Sequence, residues 1–380
     1  MAEISAVADS LFRPALQGLV PYEPGKPAEE LQRELGLERV VKLASNEGPF
    51  GPFPSALEAL AQTAGDLNRY PDAGAYRLRS ALADRHGVRF EEVAVGAGAD
   101  GLVDCLSQAL LERGDDVVCG WPSFPSYALY AMKMGAQARK VPLLEHRYDL
   151  DAILSAVGPR TKLVYICHPN NPTGTMNTRA ELDSYFERVP ERVLTVVDQA
   201  YFEYVSDPEY PDAIEEYLKN GLRVVVVRTF SKIYGLAGLR VGYALAHERV
   251  VRELGKSRRA FEVTAQAQDA ALASLDGREA TAEIERRRRL NDQGIRTLAA
   301  ALHEHGLEPV TAAVGNFLYA EAGDDAASLF DALLREGVVV RPLAGFGAPG
   351  AIRVTVGRPD ENEFFRSALA RVVSGAATTG

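Results

Sequence analysis

The chain has 380 residues, 47% of them hydrophobic and 25% charged, with 42 basic against 52 acidic side chains and a formal net charge of −10. That is ordinary globular composition, long enough for one large domain and a smaller companion whose cores need neither disulfides nor metals. The acidic balance excludes nucleic-acid binding as the chain's main business, while leaving room for one local basic pocket.

In chain order, the opening "MAEISAVADSLFRPALQ" carries acids early and no basic run before an apolar core, so it does not read as a signal peptide. No apolar run approaches the length of a bilayer span, and a soluble, cytoplasmic protein is expected. "VPYEPGKP" marks an N-terminal arm, expected to cross over and pack on the second unit. "DGLVDCLSQALLERG" predicts a helix with Leu102, Val103, Leu106 and Leu110 on its apolar face and a stop at Gly114. "VVCGWP", "KLVYICHP", "VLTVVDQAY", "RVVVVRTFS" and "RVGYALA" predict strands, several apolar on both faces as in the middle of a mostly parallel sheet. Strands alternating with amphipathic helices predict an α/β fold with helices on both faces of the sheet. From about Ala260 a long helix leads through "GNFLYAEA", "ASLFDALLREG", "VVVRPLAGFG" and "AIRVTVG" to a smaller α+β unit. The expected division is 1–40 as the arm and part of the small domain, 41–258 as the large domain and 259–380 as the small one. Arg286 to Arg289 read as a solvated helix face. Cys105, Cys119 and Cys167 sit among apolar neighbours and read as small buried hydrophobes. His303 and His305, two apart, point different ways on a helix, and no metal site is expected. "SGAATTG" reads as a frayed tail.

Four motifs carry chemistry. "VGAGADG" (Val95 to Gly101) follows a strand and opens a helix, so backbone N–H groups can meet an anion, although any tight turn there would want glycine. "HPNNPTG" is a rigid turn off a strand, from which Asn171 can donate a hydrogen bond. Asp198 ends a buried strand, where a carboxylate is costly unless a cation meets it, and Tyr201 brings a phenol nearby. In "RTFSKIYGLAGLRVG", Lys232 follows another buried strand. Burial lowers a lysine's pKa and makes its amine a nucleophile toward an aldehyde. Thr229, Ser231 and Arg240 offer hydroxyls and a guanidinium fork to a phosphate. An aldehyde and a phosphate on one ligand point to pyridoxal 5′-phosphate, with Asp198 facing the ring nitrogen and Asn171 and Tyr201 the ring oxygen.

At this point the chain resembles the fold-type I pyridoxal-phosphate aminotransferases, and in particular the histidinol-phosphate aminotransferase family. "LVPYEPGKP", "KLASNEGPFGP", "NRYPD", "HPNNPTG", "VVDQAY", "RTFSKIYGLAGLRVG" and "IRVTVG" occur in the family's order from Leu19 to Gly357. The resemblance implies a covalent bond from Lys232 to the cofactor's aldehyde and a proton-moving role for the same amine. It implies that Phe124 stacks on the ring and that Gly98, Ala99 and Asp100, with Thr229, Ser231 and Arg240, cradle the phosphate. Tyr70 would reach the partner subunit's cofactor, which implies a homodimer with shared sites. Tyr22 would close over the substrate, and Arg353 and Arg341 would clamp its anionic group. The implied reaction is ping-pong transfer of the amino group of L-histidinol phosphate to 2-oxoglutarate, in histidine biosynthesis. The alternatives within the resemblance are a phenylalanine or tyrosine aminotransferase and a decarboxylase of the phosphothreonine type. A cofactor-binding regulator is not expected, because such proteins add a DNA-binding helical domain. Three positions depart from the family pattern: Gly48 where asparagine is common, Gln199 where an acid is common, and Pro125 in "PSFPSY". Gly48 is expected near the substrate entrance, and Gln199 removes a charge beside Asp198.

Overall fold

The computed structural model describes residues 11–19, 28–275 and 277–377, so Tyr22 and all of "VPYEPGKP" lie outside the described residues. The strands are, in order, β1 (Val41–Lys42), β2 (Val93–Gly96), β3 (Asp116–Trp121), β4 (Gln137–Pro142), β5 (Thr161–Cys167), β6 (Leu194–Asp198), β7 (Val224–Thr229), β8 (Gly242–Ala246), β9 (Glu308–Pro309), β10 (Phe317–Glu321), β11 (Val338–Val339), β12 (Arg341–Pro342) and β13 (Ala351–Thr355). Seven of them form one sheet in the order β2-β8-β7-β6-β5-β3-β4. β8 runs antiparallel to both of its neighbours, and the other pairs are parallel. Every residue of β7 and of β8 is buried, because helices cover both faces of the sheet. The five strand motifs of the sequence fall on β3, β5, β6, β7 and β8, and the helix Gly98–Leu110 ends before the expected stop.

This topology gathers one set of ends along one edge. Cys167 lies across from Asp198, Asp198 across from Val227, and Thr229 across from Gly242, the first residue of β8. Ligands of open α/β sheets bind outside such carboxyl ends.

A second, antiparallel sheet has the order β12-β13-β10-β9, and β1 pairs in parallel with β11. Two main cores result. The larger surrounds the seven-stranded sheet and takes in Val263, Ala267, Ala270, Ala271, Ala280 and Ile284. The smaller joins Val41 and Leu43 to Leu298, Leu318, Ile352 and Phe365. The helix Gly277–Glu304 feeds both cores.

The arginine run on that helix departs from expectation. Arg287 is only 5% exposed; it donates to the carbonyls of Ile233 (2.9 Å) and Gly51 (2.7 Å) and to Glu283 (2.7 Å). Arg288 donates twice to the carbonyl of Glu203. Consecutive residues turn about 100° on a helix, so four in a row cannot all face water when one face is packed. The three cysteines are buried and form no disulfide among the described residues. Among those residues no helix is long and apolar enough to cross a membrane.

Candidate active site

After β7 the chain must turn back sharply before entering β8, and glycine makes the turn possible. Gly235 has φ +71°, and a Cβ there would lie 2.4 Å from the carbonyl oxygen of Gly51. Gly242 lets β8 start against the helix Gly98–Leu110: a Cβ would sit 2.8 Å from the amide nitrogen of Ala99. The loop is tied internally. Thr229 Oγ1 donates to Ser231 Oγ (3.0 Å), and Ser231 N donates to Thr229 Oγ1 (3.1 Å). Arg240, in the left-handed region at φ 55°, donates to Ser231 Oγ (3.3 Å) and to the carbonyl of Ala237 (3.0 Å). Its guanidinium also abuts Gly98, the first residue of the helix. Two hydroxyls, a guanidinium and a helix N-terminus with Ala99 and Asp100 in its first turn thus border one spot, where an anion meets charge and free N–H groups together.

Lys232 rises from this loop. Its Nζ donates to the carbonyls of Asn46 (3.2 Å) and Ser45 (3.5 Å) and lies 5.3 Å from the centre of the Tyr201 ring. Burial, helped by the Arg353 and Arg240 guanidinium groups and opposed by Glu47 and Asp198, lowers its pKa to about 7. Near neutral pH a large share of the amine is therefore uncharged. Asp198, at the end of β6, is 4% exposed. It accepts from Tyr127 Oη (2.7 Å) and from the amide of Ala200 (3.0 Å). Burial raises its pKa, against those two hydrogen bonds and the nearby Lys232 amine.

The smaller unit supplies the facing wall. Arg353, in the middle of β13, is buried; it donates to the carbonyl of Ala44 (2.6 Å) and to Asn171 Oδ1. That contact turns the oxygen of the Asn171 amide to the guanidinium and keeps Nδ2 as a donor for a ligand. Arg341 is the cross-strand partner of Arg353, in register, and both line the cleft. Like charges directly opposite on a sheet repel unless an anion lies between them. Phe124 and Phe346 add aromatic surface.

One cleft thus gathers Lys232, Asp198, Tyr201, Asn171 and Phe124, with Ala99, Asp100, Thr229, Ser231 and Arg240 of the phosphate cradle, and Arg341 with Arg353. Tyr70 is not part of its lining; it is 82% exposed and stacks on Phe261, ring centres 4.6 Å apart. Gly48 does not sit at the cleft mouth. It lies behind the lysine, where a Cβ would come within 3.0 Å of the Lys232 carbonyl oxygen. Gln199 faces away from the cleft, since successive strand residues alternate. It accepts from Arg228 (2.8 Å) and donates to the carbonyl of Pro211 (2.9 Å), a bridge an ionised acid could not complete. Two further residues join the site, Asn46 and Tyr127. Both lay inside quoted motifs, "KLASNEGPFGP" and "PSFPSY", but their partners are distant in sequence.

Fold and cleft together define a fold-type I transferase: a mostly parallel sheet flanked by helices, a smaller α+β unit, and a half-buried lysine in the cleft. The chain belongs to the class I and II aminotransferase family, whose sequence model matches residues 38–369. It is 42% identical to histidinol-phosphate aminotransferase 2 of Pseudomonas fluorescens over 97% of this chain and 98% of that one. It is 43% identical to histidinol-phosphate aminotransferase 2 of Carboxydothermus hydrogenoformans, over 96% and 99%. Among solved structures it resembles the histidinol-phosphate aminotransferase of Sinorhizobium meliloti in complex with pyridoxal-5′-phosphate, with a TM-score of 0.87, 29% identity and coverage of 97% and 98%.

Proposed function

We propose that this aminotransferase uses pyridoxal 5′-phosphate to move the amino group of L-histidinol phosphate to 2-oxoglutarate, giving imidazole acetol phosphate and L-glutamate in histidine biosynthesis. Full-length similarity to enzymes of that name supports the substrate. The observation that carries the reading is the in-register pair Arg341 and Arg353 facing the Lys232 amine across one cleft. Such a pair suits a substrate phosphate in one half-reaction and a carboxylate of 2-oxoglutarate in the other.

The residues fit the cofactor. Asp198 is a buried carboxylate hydrogen-bonded, among the described residues, only by neutral donors, which suits it to a cationic ring nitrogen. Gly98 and Gly242 keep the cradle free of Cβ atoms that would collide with Arg240 and Ala99. When bound, pyridoxal phosphate supplies an electron sink for the pair left as the substrate's α-proton departs. Lys232 would remove that proton and return one, a task suited to an amine whose pKa is near 7. Asp198 would hold a proton on the ring nitrogen. Tyr201 and Asn171 would donate to the ring oxygen, and Phe124 would cover the ring. Gly98, Ala99, Asp100, Thr229, Ser231 and Arg240 would hold the phosphate. Tyr22 would shield the substrate from water, and Tyr70 would serve the partner subunit's site in a homodimer.

The test is a panel of L-histidinol phosphate, L-phenylalanine, L-tyrosine and L-phosphothreonine, each with and without 2-oxoglutarate. Glutamate formed fastest with histidinol phosphate, and only with the oxo acid present, is expected. Faster turnover of an aromatic amino acid, or carbon dioxide release without the oxo acid, overturns the substrate assignment.

A further inference from the structure

We infer that Asn46 is a positioning residue that sets the polarity of the Tyr201 hydroxyl, so that its O–H points to the ligand rather than into the protein. The inference rests on the proposed role of Tyr201 at the cofactor's ring oxygen and deepens it.

One arrangement gives every hydrogen in this network an acceptor. Asn46 N donates to Thr355 Oγ1 at 3.0 Å, and Thr355 Oγ1 lies 3.0 Å from Asn46 Oδ1. A backbone N–H can only donate, so the threonine hydroxyl accepts there, and among the described residues its own hydrogen, on a side chain 3% exposed, finds an acceptor only in Asn46 Oδ1. The side-chain amide is thereby oriented: its oxygen faces Thr355, and its Nδ2 faces Tyr201 Oη at 2.9 Å. An NH₂ group has no lone pair to offer, so the Tyr201 oxygen must accept from it. The phenolic hydrogen is then left for a partner in the cleft. Asn46 and Thr355 are 1% and 3% exposed, so water does not compete for these bonds.

Local backbone and tertiary ties support the arrangement. Asn46 has φ 53°, a left-handed conformation that asparagine tolerates better than most residues. Its carbonyl accepts from Lys232 Nζ (3.2 Å) and from Asn316 Nδ2 (3.2 Å). Thr355 lies two residues beyond Arg353 on β13, so the strand that carries the cleft arginine also fixes this amide. The charged or titratable groups around Tyr201 are Arg353, Cys167, Asp198, Lys232 and Tyr204. None of them makes a hydrogen bond to the phenol oxygen among the described residues, which leaves its polarity to Asn46.

A donated O–H stabilises negative charge on the ring oxygen, so its loss raises the pH at which the bound cofactor's absorption changes and weakens cofactor retention. The experiment uses Asn46→Asp and Asn46→Gly, each alone and with Tyr201→Phe. Both substituents tolerate positive φ. Aspartate replaces the donor with an acceptor, and glycine deletes it without adding charge. Two readouts are taken: pyridoxal-phosphate affinity of the apoprotein, followed by Trp121 fluorescence, and the pH midpoint of the holoprotein's visible absorption. The expected results are an upward shift of the midpoint and about tenfold weaker affinity for Asn46→Gly, a larger effect for Asn46→Asp, and no further change from Asn46→Gly when position 201 is phenylalanine. An Asn46→Gly effect of equal size in the Tyr201→Phe background, or none in either background, overturns the inference. Wild-type protein that binds no pyridoxal phosphate overturns instead the functional reading on which it rests.

Discussion

At the scale of single residues, chemistry is concentrated in two groups, a half-buried amine and a buried carboxylate. Lys232→Ala is expected to lower kcat by at least about 10²–10⁴-fold, the usual range for loss of a general base, in single-turnover and steady-state assays alike. Because burial and two guanidinium groups bring its pKa down to about 7, the proton-transfer step in wild type should speed up as pH rises through that value. The same shift bears on stability. The unfolded lysine, with its ordinary pKa of 10.5, binds a proton that the folded one releases above about 7. Stability of the apoprotein therefore gains from this group as pH rises between those two values. Lys232→Met should remove that gain, so urea midpoints at pH 7 and pH 9.5 should differ less in the variant than in wild type. Asp198→Asn keeps the shape and removes the charge; a fall in kcat of about 10²–10³-fold is expected, typical of losing a preorganised electrostatic partner.

At the scale of elements, the lysine loop is braced by a helix from outside the sheet. Arg287, fully inserted, holds the carbonyls of Ile233 and Gly51, one on either side of the tight approach at Gly235. Arg287→Met would leave both carbonyls buried without their donor. A loss of about 3 kcal/mol is expected in denaturant unfolding, as for charge-assisted hydrogen bonds removed from an interior. Gly235→Ala should be worse placed than an ordinary loop substitution, since it combines positive φ with a collision against backbone; about 2 kcal/mol or more is expected. Gln199 makes the complementary point: its amide joins Arg228 to Pro211 on the far face of the sheet, so this departure from the family pattern serves packing, not the cleft.

At the scale of the whole molecule, the cleft forms where the carboxyl edge of the large sheet meets β12 and β13 of the small one. The exposed stack of Tyr70 on Phe261 lies outside it, and the proposed homodimer gives that tyrosine a site to serve in the partner. Complementation tests this. Lys232→Ala and Tyr70→Ala proteins, each impaired, are mixed and allowed to exchange subunits. If Tyr70 acts across the interface, one site of each hybrid is intact, and about a quarter of wild-type activity should return. No recovery would mean that Tyr70 acts within its own chain or not at all.

The residue types around Lys232, the doubly apolar strands β5 to β8 and the order of the motifs are properties of the sequence, because burial on both faces and tight glycine turns leave local signatures. That is why the α/β fold, the lysine loop and Asp198 were legible without coordinates. Asn46, Tyr127 and the buried Arg287 were not, since each acts on groups tens to hundreds of positions away, and nothing local marks such a partner. The same holds for Gly48, whose neighbour is the Lys232 backbone and not the cleft mouth. Local conformational preference and hydrophobic period are written along the chain. The direction in which a hydrogen bond runs, and which face of a helix meets the core, are decided only when distant segments pack together.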